Sequence, residues 1–262
     1  MRSAVSRETP PARVLITGAT GGLGQALAEQ HARQGDALVL HGRDTQRLEE
    51  LAARCRALGA SVQTMSCDLA QREQLDDWRR RLTAAPVFDL VIVNAGVTSN
   101  TTSDADGESW QRIERLLDIN LYAAMATVDA VLPAMRARQR GQIALISSLS
   151  AWHGLPLTPA YCASKAGLKA YGEALRGWLA GEGIAVNVVL PGFVATDMSA
   201  TFPGPKPFLL SPARASRIIS RGLRRNRARI SFPFPLNFGM WWLAVLPAGL
   251  AQRILRWTGY SR

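Results

Sequence analysis

The feature that most constrains the fold is a rhythm of short apolar runs separated by helical stretches. Arg13 to Thr17 (RVLIT), Ala37 to His41 (ALVLH), Ser61 to Ser66, Phe88 to Val93 (FDLVIV), Gln142 to Ser147 and Ile184 to Leu190 (IAVNVVL) all read as strands. Helical patterns fill the gaps: QALAEQHARQG closing at Gly35, Thr45 to Leu58 closing at Gly59, Arg72 to Leu82, Trp110 to Arg138, and the segment opened by Pro159. Strands that are apolar almost throughout need cover on both faces, and alternation with helices supplies it. The predicted fold is therefore α/β, a doubly wound parallel sheet. Such sheets bind ligands beyond the carboxyl ends of their strands.

The unusual residues sit at those ends. Strand one runs into Gly18-Ala19-Thr20-Gly21-Gly22-Leu23-Gly24 and then a helix. A glycine-rich turn in that setting lets backbone N–H groups approach a pyrophosphate at a helix N-terminus. The spacing is G-x-x-x-G-x-G, so the strict G-x-G-x-x-G fingerprint is not matched. Strand two ends in His41-Gly42-Arg43, where a site for NAD would carry an acid. A guanidinium there suits the 2′-phosphate of NADP, although a solvated loop arginine would look the same. Asp68-Leu69 follows strand three; Asp68 either accepts from an adenine amine or caps the next helix. Asn94-Ala95-Gly96 follows strand four, and Asn120 stands unfavourably inside a helix.

Strand five leads to Ser148, then Tyr161 and Lys165. In a helix from Pro159, Tyr161 and Lys165 lie one turn apart on one face. An ammonium near a phenol favours the phenolate. Lowering a tyrosine from about 10 to about 7 takes roughly 4 kcal/mol, about what one charge at ~4 Å supplies at an effective dielectric of ~20. Ser148 is placed to hydrogen-bond the reacting oxygen.

Together these motifs resemble the short-chain dehydrogenase/reductase family, in order and over about residues 13–200: T-G-x-x-x-G-x-G at Thr17 to Gly24, Asp68-Leu69, N-A-G at Asn94 to Gly96, Asn120, Ser148, Y-x-x-x-K at Tyr161 to Lys165, and P-G-x-x-x-T at Pro191 to Thr196. The single Asn before Ala95 departs from a frequent pair. The resemblance implies a Rossmann-like fold and a hydride exchanged between a nicotinamide cofactor, NADP rather than NAD, and a ketone or secondary alcohol. It implies that Asn120, Ser148, Tyr161 and Lys165 are catalytic, with Asn120 holding a water toward Lys165 and Lys165 also bonding the nicotinamide ribose. Gly18, Thr20, Gly22, Leu23, Gly24, Arg43, Asp68, Leu69, Asn94, Ala95, Gly96, Pro191, Gly192, Val194 and Thr196 would complete the cofactor site. Leu149, Trp152, His153 and Leu155, with Met198, Phe202, Phe208 and Leu209, are the candidate substrate contacts. Their apolar character favours a fatty-acyl, steroid-like or aromatic substrate; a sugar or nucleotide-sugar is the alternative. The family also implies a homodimer or homotetramer through the helices at Trp110–Arg138 and Pro159–Ala180, whose Leu116, Leu117, Leu121, Leu168 and Leu175 exceed one buried face.

Charge separates the last segment. Residues 201–262 hold eleven of the 31 Lys and Arg and no Asp or Glu, so the first 200 residues are balanced and the tail carries the whole net charge of +11. Three divisions follow: a leader over 1–12, a core over 13–200, and a basic, apolar extension over 201–262. The arginine run from Arg214 to Arg229 lacks interleaved aromatics, so no nucleic acid partner is expected. Residues 230–252 carry no charge, but Pro233, Pro235 and Pro247 interrupt them. They read either as packing over the pocket or a neighbouring subunit, or as a short helix lying on a membrane surface with contact spread over 214–262. Cys55, Cys67 and Cys162 show no paired or metal-ligand spacing, so no metal is expected and the location predicted is cytoplasmic, with peripheral membrane association in the second reading.

Overall fold

The structure, a computed structural model, describes residues 12–99, 107–202 and 204–260. Residues 1–11 of the expected leader lie outside them. The elements run β1 (Arg13–Ile16), α1 (Gly22–Ala32), β2 (Ala37–Gly42), α2 (Thr45–Ala57), β3 (Ser61–Ser66), α3 (Arg72–Ala84), β4 (Leu90–Val93), α4 (Trp110–Leu117), α5 (Ala123–Ala137), β5 (Gly141–Ile146), α6 (Pro159–Trp178), β6 (Ile184–Pro191), α7 (Asp197–Ala200), α8 (Pro212–Arg224), β7 (Arg229–Phe232), α9 (Leu236–Val245) and α10 (Ala248–Trp257).

The strands form one seven-stranded sheet in the order β3-β2-β1-β4-β5-β6-β7, with every pair parallel. Strand alternation sends Val14, Ile16, Leu38, Leu40 and Ile92 to one face, where they meet Leu27 of α1, Leu51 of α2 and Ile219 of α8. Leu15, Val39, Val91, Ile143 and Leu145 point to the other face, against Trp78 of α3, Val128 of α5 and Leu168 of α6. This is the two-sided cover that the apolar runs require. The chain leaves β1 in one direction and returns on its other side at β4, which opens a crevice between these two strands at their carboxyl ends.

Two expectations change. The helix predicted over Trp110–Arg138 is broken by a π-turn at Asp118–Tyr122. The wider turn carries Asn120, which is fully buried and bonded to the Val97 backbone. The composition boundary near residue 200 is not a boundary in the fold. Helix α8 buries Ala215, Ile219 and Leu223 beside α1, and β7 pairs with β6 from Val188↔Arg229 to Pro191↔Phe232. The arginines of α8 stand on its exposed side and mask an ordinary amphipathic helix, while a four-residue strand followed by proline gives little periodicity to read.

The apolar surplus on the expected pairing helices is also smaller in three dimensions. Leu116, Leu168 and Leu175 are buried within the monomer, leaving Leu117 and Leu121 partly exposed.

Asn187 ties the late elements to the sheet. Fully buried on β6, it accepts from Gln142 Nε2 at 2.7 Å and donates to the Arg227 carbonyl at 2.7 Å and to Asn226 Oδ1 at 3.2 Å. Gln142 in turn donates to the Leu223 carbonyl at the end of α8. Asn187→Ala strands several of these groups and is expected to lower unfolding free energy by about 1–3 kcal/mol. A urea midpoint equal to that of the wild type would show that the bridge carries no stability.

Candidate active site

The crevice is held by a reciprocal clasp. The Thr17 hydroxyl, at the end of β1, accepts from the backbone N–H groups of Asn94 and Ala95 at 2.9 and 3.0 Å. Asn94 Nδ2 donates back to the Thr17 and Gly18 carbonyls at 3.1 and 3.0 Å. Gly18 has φ of +62°, and a Cβ there would stand 2.6 Å from the Ala95 Cα. Only glycine fits both the left-handed turn and the close approach.

Beyond the clasp, Gly18, Thr20, Gly22 and Leu23 line a cleft of about 960 Å³. Helix α1 begins at its edge with Gly21 as N-cap and no side-chain capping bond. Its first N–H groups are thus open to an anion, which fits a dinucleotide pyrophosphate. A Cβ on Gly24 would collide with the Gly18 carbonyl, so this glycine serves helix-to-turn packing. On the far side, Pro191, Gly192, Val194 and Thr196 follow β6 and line the same cleft; the Thr196 side chain caps α7.

Toward β2, Arg43 lines the cleft, together with Arg47, which the sequence reading did not single out. Arg43 makes no side-chain hydrogen bond or ion pair among the described residues, whereas Arg47 stands 3.8 Å from Asp197. His41 is buried and donates from Nε2 to the Cys67 carbonyl, and Nδ1 accepts from Gly18 N–H. The acceptor role of Nδ1 requires the neutral ring, and burial lowers its pKa to about 4 despite the Cys67 bond. Asp68 lines the cleft but does not cap α3, whose N-cap is Gln71. Burial alone would raise its carboxyl pKa; the Ala70 N–H and Arg115 at 2.9 Å outweigh that and hold it below the ordinary range. Leu69, Asn94, Ala95 and Gly96 complete this wall.

Ser148, Tyr161 and Lys165 converge at the floor, as α6 carries the last two past the end of β5. Ser148 stands beside Tyr161 and favours its ionised form, and Lys165 Nζ donates to the Ile146 carbonyl at 2.9 Å, 5.6 Å from the Tyr161 ring centre. A Cβ on Gly96 would come within 3.2 Å of Asn120 Oδ1 and 3.4 Å of Lys165 Nζ, so the buried asparagine and lysine flank one backbone position. Asn120 Nδ2 also donates to Ser164 Oγ.

The electrostatics differ from the expectation. Tyr161 keeps partial exposure, yet burial pushes its pKa up to about 12, with only the Ser148 bond opposing. Lys165 is lowered to about 8 by burial. The lysine alone does not bring the phenol toward neutrality, because loss of hydration costs both charged forms.

Of the substrate candidates, Leu149, Leu155, Met198 and Phe202 line the cleft. Trp152 and His153 are not among its lining residues. The turn after Ser148 carries Trp152 away, to lie 4.3 Å from Lys169 Nζ and 5.0 Å from the Arg229 guanidinium. Phe208 and Leu209 also lie outside the lining and are about half exposed. Met240 and Leu243 of α9, within the stretch read either as pocket packing or as a membrane helix, wall the cleft, as do Ile254, Leu255 and Trp257 of α10, which the sequence reading did not single out. The pairs Met240/Leu243 and Ile254/Trp257 have helical spacing, and this was the available signal.

The chain belongs to the short chain dehydrogenase family, whose model matches residues 12–205. An uncharacterised oxidoreductase of Myxococcus xanthus is 38% identical over 243 residues, 92% of this chain and 95% of that one. Among solved structures, a short-chain dehydrogenase from Sphingobium yanoikuyae in complex with NADPH aligns with TM-score 0.81 and 28% identity over 94% of this chain and 95% of that chain. A bulky-bulky ketone specific alcohol dehydrogenase from Comamonas testosteroni aligns with TM-score 0.80 and 25% identity, over 95% of each. The protein is thus an oxidoreductase of a family that binds a nicotinamide cofactor, and the uncapped helix and the glycine cradle fit that group.

Lys165 gives a pH-dependent signature. Its pKa is about 8 folded and 10.5 in its ordinary state, so the unfolded chain binds more protons between these values and stability rises with pH there. The burial penalty is present in full below pH 8 and vanishes above about 10.5. Lys165→Met is therefore expected to melt higher than the wild type at pH 7, with the gap narrowing by pH 9.5. A gap independent of pH would show that Lys165 is not desolvated.

Proposed function

We propose that this protein is an NADP(H)-dependent oxidoreductase that interconverts a bulky, apolar ketone and its secondary alcohol. The observation that carries the reading is the continuity of the cleft. The phosphate cradle, the Ser148–Tyr161–Lys165 floor and an apolar wall built from Leu149, Leu155, Met240, Leu243 and Ile254 share one continuous space. A charged or sugar-like body would leave its polar groups unpaired against that wall. The Comamonas testosteroni neighbour, specific for bulky ketones, supports the same substrate class.

The cofactor, when bound, supplies or accepts the hydride. In the reducing direction Ser148 donates a hydrogen bond to the carbonyl oxygen, and Tyr161, protonated throughout the neutral range with a pKa of about 12, releases its proton to the forming alkoxide. Lys165 places a positive charge behind Tyr161 that favours this release. Asn120 braces Gly96 and Val97, keeping the Lys165 side of the cleft in place. In the oxidising direction the same groups act in reverse.

For cofactor choice, Arg43 and Arg47 lie where β2 ends, with no acid at the strand end to receive ribose hydroxyls. Among the described residues the Arg43 guanidinium has no hydrogen-bond or ion-pair partner, which suits it to a 2′-phosphate. The NADPH in the Sphingobium yanoikuyae neighbour supports this assignment.

Tyr161→Phe is expected to lower kcat at least ~10²-fold, since it removes the proton donor, while NADPH affinity stays nearly unchanged. Wild-type turnover by the variant on a confirmed ketone would refute the assigned role. Arg43→Ala is expected to weaken NADPH by roughly tenfold or more, the loss of a charge-assisted bond of about 1.5–3 kcal/mol, and to leave NADH affinity unaltered. Equal losses for both cofactors in a fluorescence titration would take Arg43 out of the site.

A further inference from the structure

Helix α9 is apolar on every side: Asn237 is its single polar residue, and only Met240 and Leu243 are buried. Phe238, Trp241, Trp242 and Val245 are exposed, and the first three are in mutual contact, with ring centres 5.6–6.3 Å apart. Helix α10 buries Ala251 and Leu255 and exposes Leu250 and Trp257, the latter at 89%. A water-exposed group of aromatics of this size calls for a covering surface. Trp242 and Trp257 also line the cleft, so the patch continues into the substrate space.

Charge selects the occupant. Arg253 and Arg256 are exposed on α10 beside Leu250 and Trp257, neither forms an ion pair among the described residues, and no Asp or Glu follows Asp197 in the sequence. Trp and Phe with flanking arginines is the composition suited to the boundary between headgroups and acyl chains. A second copy of the chain suits the face less well. A two-fold contact would set Arg253 and Arg256 of two copies on one small surface without acids, and it would cap the mouth of the cleft.

We propose that the α9–α10 face docks on an anionic lipid bilayer and that the cleft takes its apolar substrate from the membrane side. Phe238, Trp241, Leu250 and Trp257 enter the headgroup layer, while Arg253 and Arg256 pair with lipid phosphates. The delivery of substrate rests on the apolar-ketone reading above; the docking itself does not.

The test is co-sedimentation of the full chain with phosphatidylcholine vesicles, with and without phosphatidylglycerol, together with quenching of tryptophan fluorescence by brominated lipid. The wild type is expected to pellet with the anionic vesicles at low salt, to be released by added salt, and to be quenched. Phe238→Ser with Leu250→Ser, neither of which lines the cleft, and separately Arg253→Gln with Arg256→Gln, are expected to weaken partition at least about tenfold. Arg217→Gln with Arg221→Gln, on the basic side of α8, is expected to leave it unchanged. A wild-type chain that stays in the supernatant unquenched overturns the proposal. So does binding lost with the α8 arginines but kept without Phe238 and Leu250. A dimer in light scattering that the Phe238/Leu250 variant dissociates, with no vesicle binding, assigns the face to a second copy and likewise overturns it. Turnover of a soluble aromatic ketone without vesicle binding sinks only the docking. Vesicle binding with no turnover of any ketone sinks the proposed function and leaves the docking standing.

Discussion

The site depends on four hydrogen bonds between Thr17–Gly18 and Asn94–Ala95. They join the ends of β1 and β4 at the reversal in strand order. With Thr17 fully buried, its hydroxyl satisfies two backbone donors that would otherwise be stranded. On one side of this clasp lies the turn into α1 and its uncapped N–H groups. On the other, Gly96 brings Asn120 and Lys165 together. The glycine-rich turn and the Ser148–Tyr161–Lys165 floor are thus held in register by one small hydrogen-bonded unit.

The balance of charge on that floor follows from burial. Moving Tyr161 from about 12 to near 7 takes roughly 7 kcal/mol at 1.36 kcal/mol per unit. One charge at ~4 Å with an effective dielectric of ~20 contributes about 4 kcal/mol, and Lys165 Nζ is also engaged in donating to the Ile146 carbonyl. Lysine alone is insufficient. A nicotinamide cofactor held in this cleft would, when oxidised, supply a second positive charge that favours the phenolate. On the proposed function, readiness in the oxidising direction would therefore be coupled to cofactor binding.

Which parts were legible in the sequence follows from which physical demands leave a residue-level trace. Gly18 and Gly24 must lack a Cβ, Thr17 must offer a hydroxyl, and Tyr161 and Lys165 must share a helix face, so each can be read directly. Parallel pairing was legible because both faces of the strands are apolar. Trp152 and His153 misled because nearness to Ser148 along the chain does not determine direction, and the turn at Leu149–Ala151 carries Trp152 toward Lys169 and Arg229. Residues 230–252 stayed open between pocket packing and a membrane surface for a different reason: helices lining an apolar cleft and helices covering a membrane have the same composition, and here Trp242 and Trp257 both line the cleft and stand exposed. Strand β7 was too short to show a period. The net effect of burial on Tyr161 and Lys165 has no sequence signature, since spacing reports proximity but not hydration.

The central claim is that burial holds Tyr161 protonated until the oxidised cofactor adds its charge. The direct measurement is an ultraviolet titration of phenolate absorbance, wild type minus Tyr161→Phe, with and without NADP⁺; the chain has only four tyrosines. The account expects the Tyr161 transition near 12 in the empty protein and several units lower with NADP⁺ bound. A transition near 7 without cofactor, or one that NADP⁺ does not move, would contradict it.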